Sequence, residues 1–321
     1  MNKTDLRIVF MGTPDFAVAS LDALVKAGCH IVGVITAPDK PAGRGMKLNE
    51  SAVKKYAVEH GLPVLQPEKL KQPEFLEQLK ALRADLQIVV AFRMLPEVVW
   101  NMPPMGTVNV HGSLLPQYRG AAPINWAVIN GEKETGVTTF KLKHEIDTGD
   151  ILLQQSFPID ENETAGEVHD KMKVIGANLL VKTVEGLAEG TLKEKPQTNN
   201  PVQPGHTGGQ QPATSLKHAP KIFTETCQID FTKTTAAVHN LIRGLSPFPG
   251  AFTTLNGKML KIYRSKKDTS PVSSNAGAYL TDGKTYLKFA CSDGYIHVLE
   301  LQLEGKKKMM VEDFLRGFRF Q

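Results

Sequence analysis

The first 190 residues alternate between short apolar segments of strand type and longer segments in which apolar residues recur at helical spacing. The strand-type segments are 6–11, 30–36, 86–91, 107–111, 137–142 and 151–157, and the helical ones are 15–26, 50–60, 73–83 and the stretch from Thr164 toward Gly190. The Thr164-x-x-Glu167 spacing is that of a capping box, which marks the start of the last helix. Strands that alternate with helices are typical of βαβ units around a parallel sheet. The alternation therefore predicts an α/β fold with a doubly wound, Rossmann-like parallel sheet.

A change of pattern divides the chain near residue 200. Residues 198–214 are rich in Asn, Pro, Gly, Gln and Thr and have no periodicity, which is typical of a linker or a crossing loop. After a helical piece near 235–245, short strand-type segments are separated by Asn256-Gly257, Asp282-Gly283 and Asp293-Gly294, dipeptides that favour hairpin turns. These features predict a Rossmann-like domain over 1–190, a linker over 191–214 and a smaller, OB-like β-barrel over 215–321.

Composition excludes several classes of protein. The chain has no run of about 18 apolar residues, so we expect no membrane span. The apolar run at the N-terminus is short and leads straight into a turn at Gly12, which is typical of a first strand and not of a signal peptide. Cys29, Cys227 and Cys291 are dispersed and form no C-x-x-C pair, so neither a disulfide framework nor a structural zinc is expected. These features fit a protein of the reducing cytoplasm.

The charge is unevenly distributed along the chain. Residues 209–321 carry 16 Lys and Arg against nine Asp and Glu, a balance of +7, whereas residues 1–208 carry 22 against 24. Such asymmetry favours a polyanionic partner for the basic half. The alternative is a lysine-rich face that is simply solvated.

A second basic segment lies between a predicted strand and a predicted helix. The loop over 36–48 is longer than the 2–6 residues usual for such a connection, and it carries Lys40, Arg44 and Lys47 against one acid, Asp39. Its Gly and Pro content predicts no regular structure. An extended basic loop at the edge of a sheet could contact nucleic acid, and the alternative is a disordered, solvated loop.

Three polar side chains form the candidate chemical centre. Asn109 and His111 are two residues apart in a predicted strand, so their side chains emerge on the same face, at the carboxyl end where open α/β sheets bind ligands. The loop from His111 to Pro123 combines Gly, Pro, Ser and Arg with exposed apolar residues, a mixture typical of functional loops. Asp147 follows in a turn between two strands. A structural role remains open for each of the three, and Asp147 could be a turn acid that binds its own backbone.

Long motifs in this region resemble the signature of the folate-dependent formyltransferases. They are Asn109-x-His111-Gly-Ser-Leu-Leu-Pro116, Arg119-Gly120-Ala-Ala-Pro123 and Asp147-Thr-Gly-Asp150. Two further segments, Phe10-Met-Gly-Thr-Pro-Asp-Phe16 and Pro38-Asp-Lys-Pro-Ala-Gly-Arg-Gly45, resemble the branch of the family that formylates methionyl-tRNA. The resemblance implies an enzyme that takes the formyl group of 10-formyltetrahydrofolate, with no metal, and delivers it to initiator methionyl-tRNA for translation initiation. A monomer is expected.

The resemblance also implies roles for individual residues. Asn109 and His111 would donate hydrogen bonds to the oxyanion that forms when an amine attacks the formyl carbon, and Asp147 would take the proton of that amine and orient His111. Ser113, Leu114, Leu115 and Pro116, with Val90 and Phe92, would form the folate pocket, and Phe16, Lys40, Gly43, Arg44 and Lys47 would contact the methionyl-tRNA. The chain departs from many relatives at Phe92-Arg93, where those have Tyr-Gly.

Other functions remain possible at this stage. A formyltransferase for a small amine, such as a nucleotide sugar or glycinamide ribonucleotide, would share the three polar residues but would not require the basic loop or a basic second domain. A module that releases formate from the same folate, or an RNA-binding protein without activity, would also fit the fold. The acceptor of the formyl group distinguishes these possibilities.

Overall fold

The computed structural model describes residues 2–42, 47–197 and 215–319. Its helices are α1 (Asp15–Lys26), α2 (Ala52–Glu59), α3 (Pro73–Ala81), α4 (Glu97–Trp100), α5 (Pro123–Ile129), α6 (Ala165–Glu189), α7 (Thr235–Gly244) and α8 (Val311–Gly317), with a 3-10 turn over Glu225–Cys227. Its strands are β1 (Arg7–Gly12), β2 (His30–Ile35), β3 (Lys40–Ala42), β4 (Lys47–Asn49), β5 (Val64–Leu65), β6 (Leu86–Val90), β7 (Thr107–His111), β8 (Arg119–Gly120), β9 (Glu134–Lys141), β10 (Ile151–Pro158), β11 (His218–Ala219), β12 (Ala251–Leu255), β13 (Lys258–Asp268), β14 (Tyr279–Thr281), β15 (Leu287–Ala290), β16 (Tyr295–Leu303) and β17 (Met309–Met310).

The chain folds into two compact units. Unit 1 consists of Met1–Arg119, Gly136–Ser156 and Lys171–Lys217, and unit 2 consists of Gly120–Thr135, Phe157–Asp170 and His218–Gln321. The segments that precede residue 190 are therefore shared between both units. Asn109, His111 and Asp147 all belong to unit 1.

The sheet of unit 1 has seven strands in the order β10-β9-β7-β6-β1-β2-β5. The pairs β7–β6, β6–β1, β1–β2 and β2–β5 are parallel, as the alternation of strands and helices predicts. β9 instead pairs with β7 in antiparallel orientation, with His111 opposite Thr138. The predicted doubly wound sheet is therefore confirmed, and β9, the neighbour of the edge strand β10, runs antiparallel to β7, as is common in mixed sheets of this kind.

Strands β1 and β6 lie at the centre of this sheet and are almost fully buried. Val9, Met11 and Val89 pack with Phe75 and Leu79 of α3 in one hydrophobic core. A strand that is covered on both faces has a continuous apolar sequence instead of an alternating one. This burial explains the apolar character of the segments 6–11 and 86–91.

The strand order reverses between β1 and β6, because the chain runs from β1 to β2 and β5 on one side and returns to β6 and β7 on the other. Gly12 at the end of β1 lies opposite Val90 at the end of β6. A Cβ on Gly12 would lie 2.6 Å from the Cβ of Ala17 and 3.0 Å from the Val90 carbonyl oxygen, so only glycine permits this close approach. Open α/β sheets bind ligands at the carboxyl ends of the strands beside such a reversal.

Unit 2 contains a six-stranded antiparallel sheet, in the order β12-β13-β16-β15-β14 with β17 beside β16. Asn256-Gly257 forms the two-residue turn between β12 and β13, and both residues have positive φ (48° and 73°), as a type I′ turn requires. Asp282-Gly283 lies between β14 and β15, and Asp293-Gly294 lies between β15 and β16. The predicted antiparallel β domain is therefore confirmed. The first and last strands in the order of its sheet are β12 and β14.

The helix boundaries follow the local signals in the sequence. α1 has the predicted bounds, and α6 begins directly after Thr164, the first residue of the predicted capping box. In that box the Thr164 backbone N–H donates to Glu167 Oε2 at 2.8 Å, and the Glu167 N–H donates to Thr164 Oγ1 at 3.3 Å. Within the described ranges, no helix combines the length and the apolar character needed to cross a membrane.

The three cysteines are free, buried thiols. Cys29 lies in unit 1, and Cys227 and Cys291 lie in unit 2, where both belong to the hydrophobic core. Burial raises the pKa of each thiol, and it raises the pKa of Cys291 to about 12. Because the thiolate is the nucleophilic form, burial protects all three against modification.

We expect the native protein to react slowly with a thiol reagent such as DTNB at pH 8. At that pH only about one Cys291 side chain in 10⁴ would be a thiolate in the folded state, given its raised pKa. All three thiols should react rapidly in guanidinium chloride. The measurement is the absorbance of released thionitrobenzoate with and without denaturant, and three fast equivalents from native protein would contradict this packing.

Candidate active site

Asn109 and His111 lie at the carboxyl end of β7, beside the reversal of strand order. Asn109 lies opposite Val89 of β6, so the parallel ladder sets its position along the sheet. Its side chain is half-buried, whereas His111 is buried and only 6% exposed. No hydrogen bond holds the Asn109 amide among the described residues, so this amide is available as a donor to a ligand.

A polar group of the protein lies near each nitrogen of the His111 imidazole. Its Nε2 lies 2.9 Å from the Tyr118 carbonyl oxygen, and its Nδ1 lies 3.8 Å from Asp147 Oδ2. Because a carbonyl oxygen only accepts, Nε2 must carry a proton. The 3.8 Å between Nδ1 and Asp147 Oδ2 is longer than a hydrogen bond, so the carboxylate lies beside the imidazole without a direct hydrogen bond to it. The sequence therefore predicted a pair that the structure brings together.

Asp147 occupies a loop between β9 and β10 with an unusual backbone conformation. Its φ is 55°, in the left-handed region that Asp and Asn tolerate better than most residues. Its side chain is only 12% exposed. The next residue, Thr148, donates from Oγ1 to the Glu145 carbonyl oxygen at 3.0 Å. The loop thus turns the Asp147 carboxylate toward His111.

Gly149 permits this loop to pack against the end of β9. A Cβ at this position would lie 1.6 Å from the Lys141 carbonyl oxygen and 3.1 Å from the Phe140 ring. A side chain at position 149 would therefore displace the backbone, only two residues from Asp147. The glycine in the Asp147-Thr-Gly-Asp150 motif is therefore required by packing.

Gln197 joins this loop to Arg119, and no pattern in the sequence indicated this role. The Gln197 amide donates from Nε2 to the carbonyl oxygens of Asp147 (2.9 Å) and Gly149 (2.7 Å). Its Oε1 accepts from Nη2 (2.6 Å) and Nε (3.1 Å) of Arg119. All of these residues belong to unit 1. Gln197 precedes the low-complexity segment, so its position suggested only a linker.

The loop that contains Ser113, Leu114, Leu115 and Pro116 is braced by two side chains of the neighbouring strands. Thr138 Oγ1 donates to the Ser113 carbonyl oxygen at 2.7 Å and accepts from the Leu115 N–H at 3.1 Å. Gln154 Nε2 donates to the Leu115 carbonyl oxygen at 2.9 Å. These backbone groups are therefore engaged within the protein. Ser113, Leu115 and Pro116 are buried, and Leu114 is half-buried.

The Phe92-Arg93 pair follows β6 on the same edge of the sheet. Arg93 donates from Nη1 to the Glu68 carbonyl oxygen at 2.7 Å and from Nη2 to the Pro67 carbonyl oxygen, and its guanidinium lies 5.5 Å from the centre of the Phe92 ring. Arg93 therefore ties the segment after β6 to the segment after β5. Phe92 is half-buried and Val90 is fully buried, so Phe92 is the more accessible of the two predicted folate contacts.

The basic loop over 36–48 begins and ends as a two-stranded antiparallel ribbon, in which β3 pairs with β4 and Lys40 lies opposite Asn49. The expectation that this loop has no regular structure was therefore wrong at its base. The hydrogen bonds between β3 and β4 compensate for the conformational entropy that this part of the loop loses. Residue composition does not reveal such pairing. Lys40 is exposed. The predicted contacts Gly43 and Arg44 lie outside the described residues, as does the side chain of Lys47.

The base of this ribbon is anchored by Asp39. Its carboxylate accepts from Lys54 Nζ and from Gln66 Nε2, the latter at 2.8 Å. These hydrogen bonds lower the pKa of Asp39, with the bond from Lys54 as the largest cause. The single acid of the loop is thus neutralised at the base. Phe16, the remaining predicted contact, is half-buried in the first turn of α1.

The chain matches two families over most of its length. Residues 6–184 match the formyl transferase family, and residues 221–319 match the formyl transferase C-terminal domain. Curated relatives include the methionyl-tRNA formyltransferase of Bacteroides fragilis, 53% identical over 99% of this chain and 97% of the relative, and that of Parabacteroides distasonis, 55% identical over 99% and 98%.

Solved structures share the fold at low identity. An N-formyltransferase from Helicobacter canadensis, in complex with folinic acid and dTDP-3-aminofucose, superposes with a TM-score of 0.65 at 21% identity over 96% of this chain and all of that chain. HypX from Aquifex aeolicus, in complex with tetrahydrofolic acid, superposes with a TM-score of 0.64 at 18% identity over 98% of this chain and 48% of that chain.

We expect Gly149→Ala to destabilise unit 1 by about 1–3 kcal/mol, because the added Cβ forces the loop away from Lys141. Activity should fall with it, since Asp147 moves with the loop. Gly176→Ala, in α6, is the matched control. Its Cβ would meet only ordinary contacts, 3.5 Å from Val110 and Val137, so it should leave stability unchanged or raise it by about 0.5–1 kcal/mol. Urea denaturation measures both, and equal behaviour of the two variants would contradict the close approach.

Proposed function

Because this chain belongs to the formyltransferase family, we propose that it transfers the formyl group of 10-formyltetrahydrofolate to the methionine amino group of initiator methionyl-tRNA. The observation that carries this proposal is 53–55% identity, over 99% of the chain, with enzymes named methionyl-tRNA formyltransferase. The product would serve translation initiation in the cytoplasm, and we propose that the enzyme acts as a monomer.

The reaction forms one bond and breaks one. The neutral methionine nitrogen attacks the formyl carbon, and the tetrahedral intermediate collapses with cleavage of the bond between that carbon and N10 of the folate. The attacking nitrogen loses a proton, and N10 gains one. The site must therefore stabilise an oxyanion and move a proton, which are the tasks that hydrogen-bond donors and a carboxylate perform.

Asn109 is the donor best suited to the oxyanion. Its amide has no partner within the described residues, whereas His111 Nε2 already donates to the Tyr118 carbonyl oxygen at 2.9 Å. A donor aimed at the developing charge can contribute about 3–4 kcal/mol to the rate. His111, oriented by the Tyr118 carbonyl oxygen and with Asp147 Oδ2 3.8 Å from its Nδ1, would lie beside the oxyanion. Asp147 would receive the proton of the attacking amine.

The folate would bind between the braced loop over 113–116 and the segment after β6. Leu114 and Phe92 are the half-buried apolar groups there and would contact the flat ring. Thr138 and Gln154 engage the carbonyl and N–H groups of Ser113 and Leu115, so those groups would shape the pocket instead of binding the ligand. Val90 would support Phe92 from within the sheet.

Two basic regions would contact the tRNA. The ribbon of β3 and β4 carries the loop with Lys40, Gly43, Arg44 and Lys47, which we propose reaches the acceptor end. In unit 2, the exposed lysines that have no ion pair within the described residues include Lys258, Lys266, Lys306 and Lys307. Lys258 begins β13, and the C-terminal end of β16 lies beside it because Leu260 is opposite Leu303. The chain continues from that end of β16 to Lys306 and Lys307.

Other cations of unit 2 are already paired. Arg264 contacts Glu167 at 2.7 Å, Lys308 contacts Glu300 at 3.0 Å, and Lys267 contacts Glu161 at 2.5 Å. Only part of the +7 balance over 209–321 is therefore available to phosphates. We propose that the four lysines form the phosphate-binding face of unit 2.

The function is tested by offering radiolabelled 10-formyltetrahydrofolate to the purified protein with initiator methionyl-tRNA, elongator methionyl-tRNA, a small amino-sugar nucleotide or no acceptor. Label should appear on the initiator methionyl-tRNA. Transfer to the small amine alone would support the alternative of a small-molecule formyltransferase. Release of free formate without an acceptor, or no turnover, would exclude both.

Asp147→Asn should lower kcat by about 10²–10⁴-fold, because the variant cannot accept a proton. Asn tolerates the φ of 55°, and its carbonyl oxygen can still accept the hydrogen bond from Gln197, so the fold should persist. Binding of the tRNA should change little. Steady-state kinetics and tRNA binding by filter retention measure the two effects.

Glu145→Gln is the matched control for Asp147→Asn. It removes the same charge two residues upstream, from an exposed side chain without an ion pair in the described part of the chain. Its kcat should remain within about twofold of the parent enzyme, as surface substitutions generally do little. Equal kcat losses in both variants would refute the role of Asp147.

Replacing Lys258, Lys266, Lys306 and Lys307 by Gln should weaken tRNA binding and make it less dependent on salt. Each lost phosphate contact should reduce the slope of log K against log salt by roughly 0.7–0.9. The KM for the folate should not change. Affinities from 50 to 200 mM KCl measure the slope.

A quadruple substitution in unit 1 provides the control for net charge. Lys55, Lys69, Lys71 and Lys80 are exposed and have no ion pair within the described residues, so replacing them by Gln removes the same four charges. This control should retain most of the parental salt slope. If it reduces the slope as much as the unit 2 variant does, binding depends on net charge and not on the proposed face.

A further inference from the structure

A closed circuit of contacts connects the two members of the His111–Asp147 pair. His111 Nε2 donates to the carbonyl oxygen of Tyr118, and the next residue is Arg119. Arg119 holds Gln197, and Gln197 holds the carbonyl oxygen of Asp147. The circuit closes at the 3.8 Å separation between His111 Nδ1 and Asp147 Oδ2. Every residue in it belongs to unit 1.

Arg119 fixes the orientation of the Gln197 amide. The oxygen and nitrogen of an amide side chain are distinguished by their partners, and a guanidinium only donates. Oε1 accepts two hydrogen bonds from Arg119, so the amide NH₂ must face the loop, where two carbonyl oxygens lie at 2.9 and 2.7 Å. Both protons of the amide and its oxygen are thus engaged at once.

The loop that Gln197 holds needs such support. Asp147 has a φ of 55°, and the preceding residue, Ile146, exposes 61% of its surface and so contributes little burial. The Gln197 amide contacts two carbonyl oxygens of this loop at once, so it restrains the backbone on both sides of Thr148. The bonds from Gln197 tie these carbonyls to a residue that is held in turn by Arg119.

We propose that Gln197, oriented by Arg119, is a positioning residue that sets the distance and angle between the Asp147 carboxylate and the His111 imidazole. This inference rests on the proposed role of Asp147 as proton acceptor. Gln197 touches neither substrate nor the reacting atoms, and it acts only through the backbone of the 147–149 loop. Displacement of a catalytic group by about 1 Å can cost 10²-fold in rate.

The test compares Gln197→Ala and Gln197→Glu in the full-length enzyme. The glutamate keeps the contact with Arg119 but replaces the amide NH₂ by an oxygen, which repels the two carbonyl oxygens. Both variants should lower kcat by about 10²-fold while the KM for methionyl-tRNA and for the folate changes less than threefold. A glutamate variant with parental kcat would overturn the proposal, because it lacks the proposed donor.

A double-mutant cycle with Asp147→Asn separates positioning from a general structural effect. If Gln197 acts through Asp147, adding Gln197→Ala to Asp147→Asn should cost less than about threefold more in kcat, since coupled residues are not additive. A further loss of the full 10²-fold in the Asp147→Asn background would overturn the inference. Arg119→Lys, which keeps the charge but not the two-donor geometry, should give an intermediate loss that is also non-additive with Gln197→Ala.

Two comparisons keep the inference and the proposed function distinguishable. Thr191→Val removes a hydrogen bond to the Gly186 carbonyl oxygen in the same segment after α6, without contact to the 147–149 loop, and should keep parental kcat. If it loses as much kcat as Gln197→Ala, the segment matters only for folding and the inference fails. If Asp147→Asn keeps the parental kcat, Asp147 is not the proton acceptor and the proposed mechanism is wrong. If Asp147→Asn loses kcat but Gln197→Ala does not, only the positioning role of Gln197 is rejected.

Discussion

The parallel alignment of β7 with β6 is the constraint on which the site depends. Val89 lies opposite Asn109 and Val90 lies opposite Val110, so β7 extends past the end of β6 and carries His111 to the edge of the sheet. Since side chains alternate along a strand, Asn109 and His111 share a face. A shift of this register by one residue would turn both side chains to the opposite face and separate them from Asp147.

The remaining parts of the site are loops, and each is held by side chains of neighbouring elements. Thr138 and Gln154 brace the loop over 113–116, and Gln197 braces the loop of Asp147. Catalysis requires reacting groups to be placed within a fraction of an ångström. The sheet supplies that precision for Asn109 directly. The loops acquire it through hydrogen bonds to their own backbone.

The electrostatics of the basic C-terminal part of the chain differ from what the charge balance of residues 209–321 indicates. Several cations of the basic half neutralise acids within the unit, as Arg264 does for Glu167 and Lys267 for Glu161. Exposed pairs of this kind contribute little to stability, but they reduce the charge that an RNA backbone would meet. The proposed phosphate-binding lysines are therefore fewer than the balance of +7 over residues 209–321 implies.

The sequence by itself determined the local elements and the chemical groups. The bounds of α1 and β7, the capping box at Thr164 and the turn at Asn256-Gly257 depend on residues a few positions apart, and the motifs named Asn109, His111 and Asp147. Only the tertiary structure decided the antiparallel pairing of β9 with β7, the ribbon of β3 and β4, and the contact of Gln197 with Arg119. These features depend on partners distant along the chain, 78 residues apart for Arg119 and Gln197, and a residue's own neighbours do not reveal such partners.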